Sequence, residues 1–202
     1  MQTDKIIPPQ NSHLGLFNTA SGNLIDLNNP HPSEINIEDI AHALSNICRF
    51  GGHAGTFYSV AQHCCLVTGM VPHEAKKMAL LHDASEAYLG DVIKPLKNII
   101  GASYTSIEDR FTQLINQRFQ IKPSSVQALE VKKADSIMLE IEHEALILGK
   151  PARLVSLLHG CDQELGWAWK PMVAKDMFLT TFHKLFSTES APKTQVLQEN
   201  EG

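Results

Sequence analysis

Leu80-Leu81-His82-Asp83-Ala84-Ser85-Glu86 places an adjacent His and Asp, and then an acid, at the end of an apolar run. Read as helix, Asp83 to Glu86 is an i, i+3 step and His82 to Glu86 an i, i+4 step, so Glu86 is expected over the same face as the His-Asp pair. One face then carries a nitrogen ligand, an oxygen ligand and a third titratable group. Met78, Ala79, Leu80 and Leu81 make the preceding turn apolar on all sides, the pattern of a helix enclosed by other helices. A buried acid needs a partner, and a divalent metal suits a mixed set of imidazole and carboxylate. For the dipeptide alone, a surface polar pair or a hydrogen-bonded core histidine is the commoner outcome. The metal reading depends on what stands elsewhere in the chain.

Working outward, Pro72 suits the first turn of the helix that contains this stretch, and Gly90 ends it. Upstream, Ser59 to Gln62 matches a capping box and opens a helix with Val60, Cys64 and Val67 on one side. His63 lies on that apolar side, where core packing and metal binding are both open. Before it, Asn36 caps a helix carrying Ile40, Ala43, Leu44 and Ile47. That helix stops near Arg49-Phe50-Gly51-Gly52-His53-Ala54-Gly55, either a plain C-cap with its connector or a loop that lets backbone approach a ligand. Downstream, Asp91 to Lys97 reads as a solvated turn or an anion-contacting loop around a helix-breaking Pro95. Thr105 to Glu108 is a second capping box, starting a helix with Ile107, Phe111, Leu114, Ile115 and Phe119. Ser124 to Gln127 is a third, opening the longest helix, to about Leu148, with a stripe of Val131, Ala134, Met138, Ile141, Ala145 and Leu148. Asp135 stands at the margin of that stripe with Val131 and Leu139 four residues to either side, and so calls for a partner.

At the ends, residues 1–12 read as loosely ordered, and a Ser21-Gly22-Asn23 turn between short apolar runs predicts a small β-hairpin. Met172 to Phe186 is an amphipathic packing helix, and the polar residues 187–202 read as a disordered tail. The expected organisation is an N-terminal extension with hairpin over 1–35, one helical domain over 36–186, and the tail. A chain of 202 residues suffices for one such domain. The net charge of −5 leaves no basic footprint for nucleic acid. Cys48, Cys64, Cys65 and Cys161 show no C-x-x-C spacing and read as reduced thiols, mostly core. With neither a signal-peptide pattern nor an apolar run long enough for a membrane, the expectation is a soluble cytoplasmic protein without a membrane partner.

His63, His82, Asp83 and Asp135 come from three expected helices in the order H, HD, D. With Ile47-Cys-Arg-Phe-Gly-Gly-His53, Tyr58-Ser-Val-Ala-Gln-His63, His82-Asp-Ala-Ser-Glu86 and Lys132-Lys-Ala-Asp135, the chain resembles the HD-domain metal-dependent phosphohydrolases. Within that family it is similar to the small bacterial 5'-deoxynucleotidases and to phage enzymes that remove triphosphate from dATP. The resemblance covers roughly residues 36–148. It implies an all-α HD-domain bundle with a divalent ion (Co, Mn, Zn or Mg) held between helices by His63, His82, Asp83 and Asp135, and Glu86 as the catalytic acid. It also implies Arg49 on the substrate phosphate, Asp91 as a substrate contact, and Phe50 against the sugar, where those relatives usually have Trp. Lys94 and His53 either meet further phosphates or are ordinary surface residues. The implied substrate is a 2'-deoxynucleotide, monophosphate and triphosphate both open, and the implied assembly a homo-oligomer. An HD phosphodiesterase on signalling nucleotides and a non-catalytic nucleotide-binding regulator are the alternative readings.

Overall fold

Asn36, in extended backbone, accepts a hydrogen bond from Glu38 N and starts helix α1, Ile37–Asn46, which buries Ile40, Ala41 and Leu44. This helix anchors the N-terminal part of the structure, a computed structural model that describes residues 15–157 and 167–187. The expected order of residues 1–12, the environment of Cys161 and the tail over 188–202 lie outside the described residues. Two short strands precede α1: β1, Leu16–Asn18, and β2, Leu24–Asp26, antiparallel with Phe17 opposite Ile25. Buried Asp39 of α1 ties down their turn by accepting from Thr19 Oγ1 at 2.8 Å, Ser21 N at 2.7 Å and Ser21 Oγ at 2.6 Å. The described residues are thus mostly helical, with one small antiparallel hairpin, as the sequence predicts.

Helix α2, Val60–Met70, is the central element and packs against α1, against α3 (Lys76–Leu80), against α7 (Ser125–Leu146) and against α9 (Pro171–Phe186). One apolar core lies on its α1 and α9 side, around Leu44, Val60, Ala61, Cys64 and Phe178; the other lies toward α7, around Val67, Val131, Ala134 and Met138. Cys48 and Cys64 are free thiols, Cys64 fully buried. No helix among the described residues is long and apolar enough to cross a membrane.

The helices differ from expectation in four places. The segment from Pro72 to Gly90 is not one helix: a 3-10 turn over His73–Ala75 leads into α3, and after a tight non-helical passage the chain resumes as α4, Glu86–Leu89. Between Gly90 and α6, Ala102–Arg118, the segment around Pro95 is itself a helix, α5, Lys94–Ile100. Proline is accepted there because the first helical turn has no use for its missing N–H. Helix α6 starts at Ala102, after Gly101 at φ +68°, so Thr105 does not cap it; Thr105 Oγ1 bonds back to Gly101 O. The first capping box is half formed. Ser59 Oγ takes Gln62 N, but the Gln62 side chain donates to Trp167 O and accepts from Trp169 N, tying α2 to the segment before α9. Of the three expected boxes, the Ser124–Gln127 one alone closes in both directions. Helix α7 ends at Leu146, and Leu148 is exposed rather than part of the stripe. A last helix, α8, Ala152–Leu157, packs on α7.

Candidate metal centre

The His-Asp pair sits in the break between α3 and α4. A continuing helix would give the Ala79 carbonyl to the backbone N–H of Asp83; here His82 Nδ1 takes it at 2.7 Å. The backbone then closes in three-residue steps, Leu81 N to Met78 O, Ala84 N to Leu81 O and Glu86 N to Asp83 O. In that tighter geometry residues i and i+3 stand in line, so Asp83 and Glu86 share a side through 3-10 spacing rather than through the expected α-helical face.

Helix α2 supplies His63, wholly buried, and the break supplies His82. Their Nε2 atoms face each other at 3.3 Å. Asp83 Oδ2 is 3.2 Å from His82 Nε2 and 3.6 Å from His63 Nε2. Together His63, His82 and Asp83 offer ligand atoms all within 4.8 Å of one another, a group that could hold a metal ion. Asp135, from the middle of α7, adds Oδ1 at 3.1 Å from His63 Nε2 and 3.9 Å from His82 Nε2. The structure therefore brings all four expected ligands to one place.

The donor chemistry fits a cation. His82 Nδ1 faces a backbone carbonyl and His63 Nδ1 a carboxylate, Glu142 Oε1 at 2.7 Å, so both outer nitrogens act as donors. In neutral rings the two Nε2 lone pairs then point at each other beside two carboxylates, an arrangement that repels itself unless positive charge lies between. Burial works against charge on His82, yet Asp83 and Cys64 by their charge, with hydrogen bonds that the ring donates to Asp135 and Asp83, hold its pKa well above the ordinary value. Burial likewise opposes ionisation of Asp83 and Asp135, and the two imidazoles overcome it and hold both acids below the usual carboxylate range.

Glu142 is the member of this cluster that sequence reasoning missed. It is completely buried on α7, two turns beyond Asp135, with Oε2 receiving Arg49 Nη2 at 2.8 Å and Nε at 3.0 Å. The signal was present: an acid with Met138 at i−4 and Ala145 and Leu146 beyond it interrupts the apolar stripe more sharply than Asp135 does. Burial raises its pKa, but His63 and Arg49 more than reverse this and keep it ionised.

Among the expected substrate residues, Arg49 lies at the cluster, its fork turned onto Glu142 and its Nη1 3.8 Å from Asp83 Oδ2. Burial opposes its charge, and Glu142 and Asp83 hold the guanidinium more firmly protonated than usual. Phe50 follows at φ +57°, a conformation uncommon for a residue with a side chain, its ring 6.4 Å from that of His143. Asp91 is half-buried; burial raises its carboxyl, Arg49 lowers it and Asp83 raises it again, which puts it within electrostatic reach of the centre. His53 and Lys94 are exposed and do not join the cluster.

Glu86 is 5 % exposed, with Oε1 3.6 Å from Lys97 Nζ and Oε2 buried without a hydrogen-bond partner among the described residues. Lys97 is also held by Glu108 Oε1 at 2.6 Å. Burial, then the charges of Asp83 and Asp91, push the Glu86 carboxyl up to about 9. An acid that keeps its proton at neutral pH beside a cluster of ligands is equipped for proton transfer.

No family model matches the chain. It is similar to the uncharacterized protein YfdR of Escherichia coli (strain K12), 41% identical over an alignment covering 66% of this chain and 73% of YfdR. It is also similar to an uncharacterized protein of Rhodobacter capsulatus, at 36% identity over 65% of this chain and 78% of that protein. The chain belongs to the same family as YfdR.

Proposed function

We propose that this member of the YfdR family is a metal-dependent phosphohydrolase of 2'-deoxynucleotides, as its resemblance to the HD-domain enzymes implies. The observation that carries the reading is the facing pair of Nε2 atoms at 3.3 Å, both rings tied outward through Nδ1, with Asp83 and Asp135 beside them. His63, His82, Asp83 and Asp135 would hold one divalent ion. When bound, such an ion supplies Lewis acidity toward a phosphoryl oxygen and lowers the pKa of water.

The chain's own groups do the rest. Arg49 contributes permanent positive charge beside Asp83, where a phosphate meeting the centre gathers negative charge. Glu86, buried with one oxygen free, holds the proton needed at the leaving group or positions the attacking water. Lys97 pulls in the other direction, its ammonium 3.6 Å from Glu86 Oε1 favouring the ionised form, so the pair keeps the carboxyl able to change state. Phe50, its ring 5.7 Å from Arg49 Cζ, and Asp91, within electrostatic reach of Arg49 and Asp83, are assigned to the nucleoside side of the substrate.

The test is to incubate metal-loaded protein with a panel of dNMPs, NMPs, dNTPs and NTPs and to separate phosphate, pyrophosphate and triphosphate among the products. Release of phosphate from dNMPs, or of triphosphate from dNTPs, in preference to the ribonucleotides is the expected result. A protein that carries its metal and hydrolyses none of the panel would overturn the proposal.

A further inference from the structure

Glu142 has no part in the reading of the sequence, and its surroundings give it a role at the centre. The two oxygens of its buried carboxylate are divided. Oε1 takes His63 Nδ1 at 2.7 Å, while Oε2 takes both Nε and Nη2 of Arg49, at 3.0 and 2.8 Å. The arginine fork thus closes on one oxygen and holds the carboxylate from behind, and the other oxygen holds the imidazole. With Nδ1 committed as a donor, the neutral ring keeps its lone pair at Nε2, the atom 3.3 Å from His82 Nε2 and 3.1 Å from Asp135 Oδ1.

The second histidine is supported differently. His82 Nδ1 meets the neutral carbonyl of Ala79 at 2.7 Å. A carboxylate on the outer nitrogen raises the basicity of an imidazole ligand more than a carbonyl does, and it holds one tautomer and one ring tilt. The two imidazoles are therefore unequal ligands, His63 the stronger donor and the more rigidly held, since it, Glu142 and Arg49 are all excluded from water.

We infer that Glu142 is a positioning residue for the metal centre, locked by Arg49, which fixes the tautomer, tilt and donor strength of His63, so that Arg49 acts on the centre through Glu142. This rests on the reading of the cluster as a metal site. It also gives Arg49 a function that needs no substrate present.

The full chain is stripped of metal and reloaded with Co²⁺, and affinity is read by competition with a chelator alongside the visible d–d spectrum. Wild type, Glu142→Gln and Arg49→Lys are compared. Glu142→Gln is expected to bind Co²⁺ about 10- to 100-fold more weakly with displaced bands, the usual consequence of losing a ligand's outer partner. Arg49→Lys retains the charge and loses the fork, and is expected to show a smaller loss in the same direction. Equal affinity and an unchanged spectrum in Glu142→Gln overturn the inference while leaving the metal site standing; a wild type that takes up no Co²⁺ overturns both. Should Glu142→Gln fail to fold, zinc-loaded wild type with ¹⁵N-labelled histidine decides the matter. His63 protonated on Nδ1 and metallated on Nε2 is the expected signature, and the reverse arrangement defeats the inference.

Discussion

His63, Glu142 and Arg49 form a nearly dry wall, their side chains 0 to 10 % exposed, whereas the acids beside them, Asp83 and Asp135, have side chains 23 % and 39 % exposed. On the closed side every charged group answers another: imidazole to carboxylate, carboxylate to guanidinium. On the open side the two acids share the same imidazoles, His63 and His82, and keep part of their surface in water. Glu86 stands between, buried yet with one oxygen unanswered. The difference separates two tasks. The closed side fixes where a ligand nitrogen points, because a buried charge network has few alternative arrangements. The open side leaves room for exchange of an ion and for a substrate. Substitutions on the closed side are therefore expected to act on stability as well as on how the centre holds its ion, and those on the open side on binding and turnover with less effect on stability.

The largest effect should come from Asp83→Ala. It removes an oxygen ligand from the open side and leaves a polar cavity that water fills, so the protein should remain folded by circular dichroism and yet lose its divalent ion on dialysis. Elemental analysis that finds wild-type ion content in the variant would remove Asp83 from the site.

Next is Arg49→Ala, on the closed side. It leaves the Glu142 carboxylate buried without the guanidinium that answers it, and breaking a buried pair in this way costs about 3–5 kcal/mol. Urea denaturation of the metal-free proteins measures the loss. A loss below about 1 kcal/mol, the scale of a surface pair, would erase the distinction between the two sides.

Glu86→Ala should keep the ion and still bind nucleotide, while turning over at least ~10²-fold more slowly, the usual scale for an acid or base. Steady-state kinetics with parallel metal analysis checks this. Metal loss together with activity loss would make Glu86 a ligand and place it on the open side with the other acids.

A smaller and pH-dependent effect follows from the same residue. Its carboxyl is raised from an ordinary 4.5 to about 9, chiefly by burial and then by Asp83 and Asp91. The folded protein keeps a proton that the unfolded chain has released, so this group's contribution is complete below pH 4.5 and is lost as pH rises toward 9. Metal-free wild type should lose stability relative to Glu86→Gln across that window, at up to about 1.4 kcal/mol per pH unit. Parallel denaturation curves at pH 6, 7 and 8 test it, and equal slopes in the two proteins count against a protonated Glu86.

The smallest effect belongs to Lys94→Ala. Lys94 is exposed at the start of α5, while Lys97 one turn on is already engaged by Glu86 and Glu108. With dNMPs its kcat/KM should remain within about twofold of wild type. If dNTPs are the substrate, a charge-assisted contact to the outer phosphates should instead appear as roughly 1.5–3 kcal/mol in kcat/KM. The same variant thus sharpens the choice between the two.

Periodicity alone determined much of this molecule. The stripes of α1, α2, α7 and α9, the Ser124–Gln127 capping box and the Ser21-Gly22-Asn23 turn are local patterns, and local patterns can be read along a chain because 3.6-residue and two-residue repeats are properties of the backbone. The four expected ligands were legible as a set only through the resemblance to the HD-domain enzymes; the residues alone said that an acid or imidazole on an apolar face needs a partner. Only the tertiary structure decided which partner each group found. It broke the expected helix at His82, because a side chain took the carbonyl that the helix required. It sent the Gln62 side chain to Trp167 and Trp169 instead of closing its cap. It placed Glu142 between His63 and Arg49, residues 79 and 93 positions away in the chain. Pairings at that separation leave no periodic trace, because they are set by how α2 and α7 pack and by the cost of leaving a buried charge unanswered.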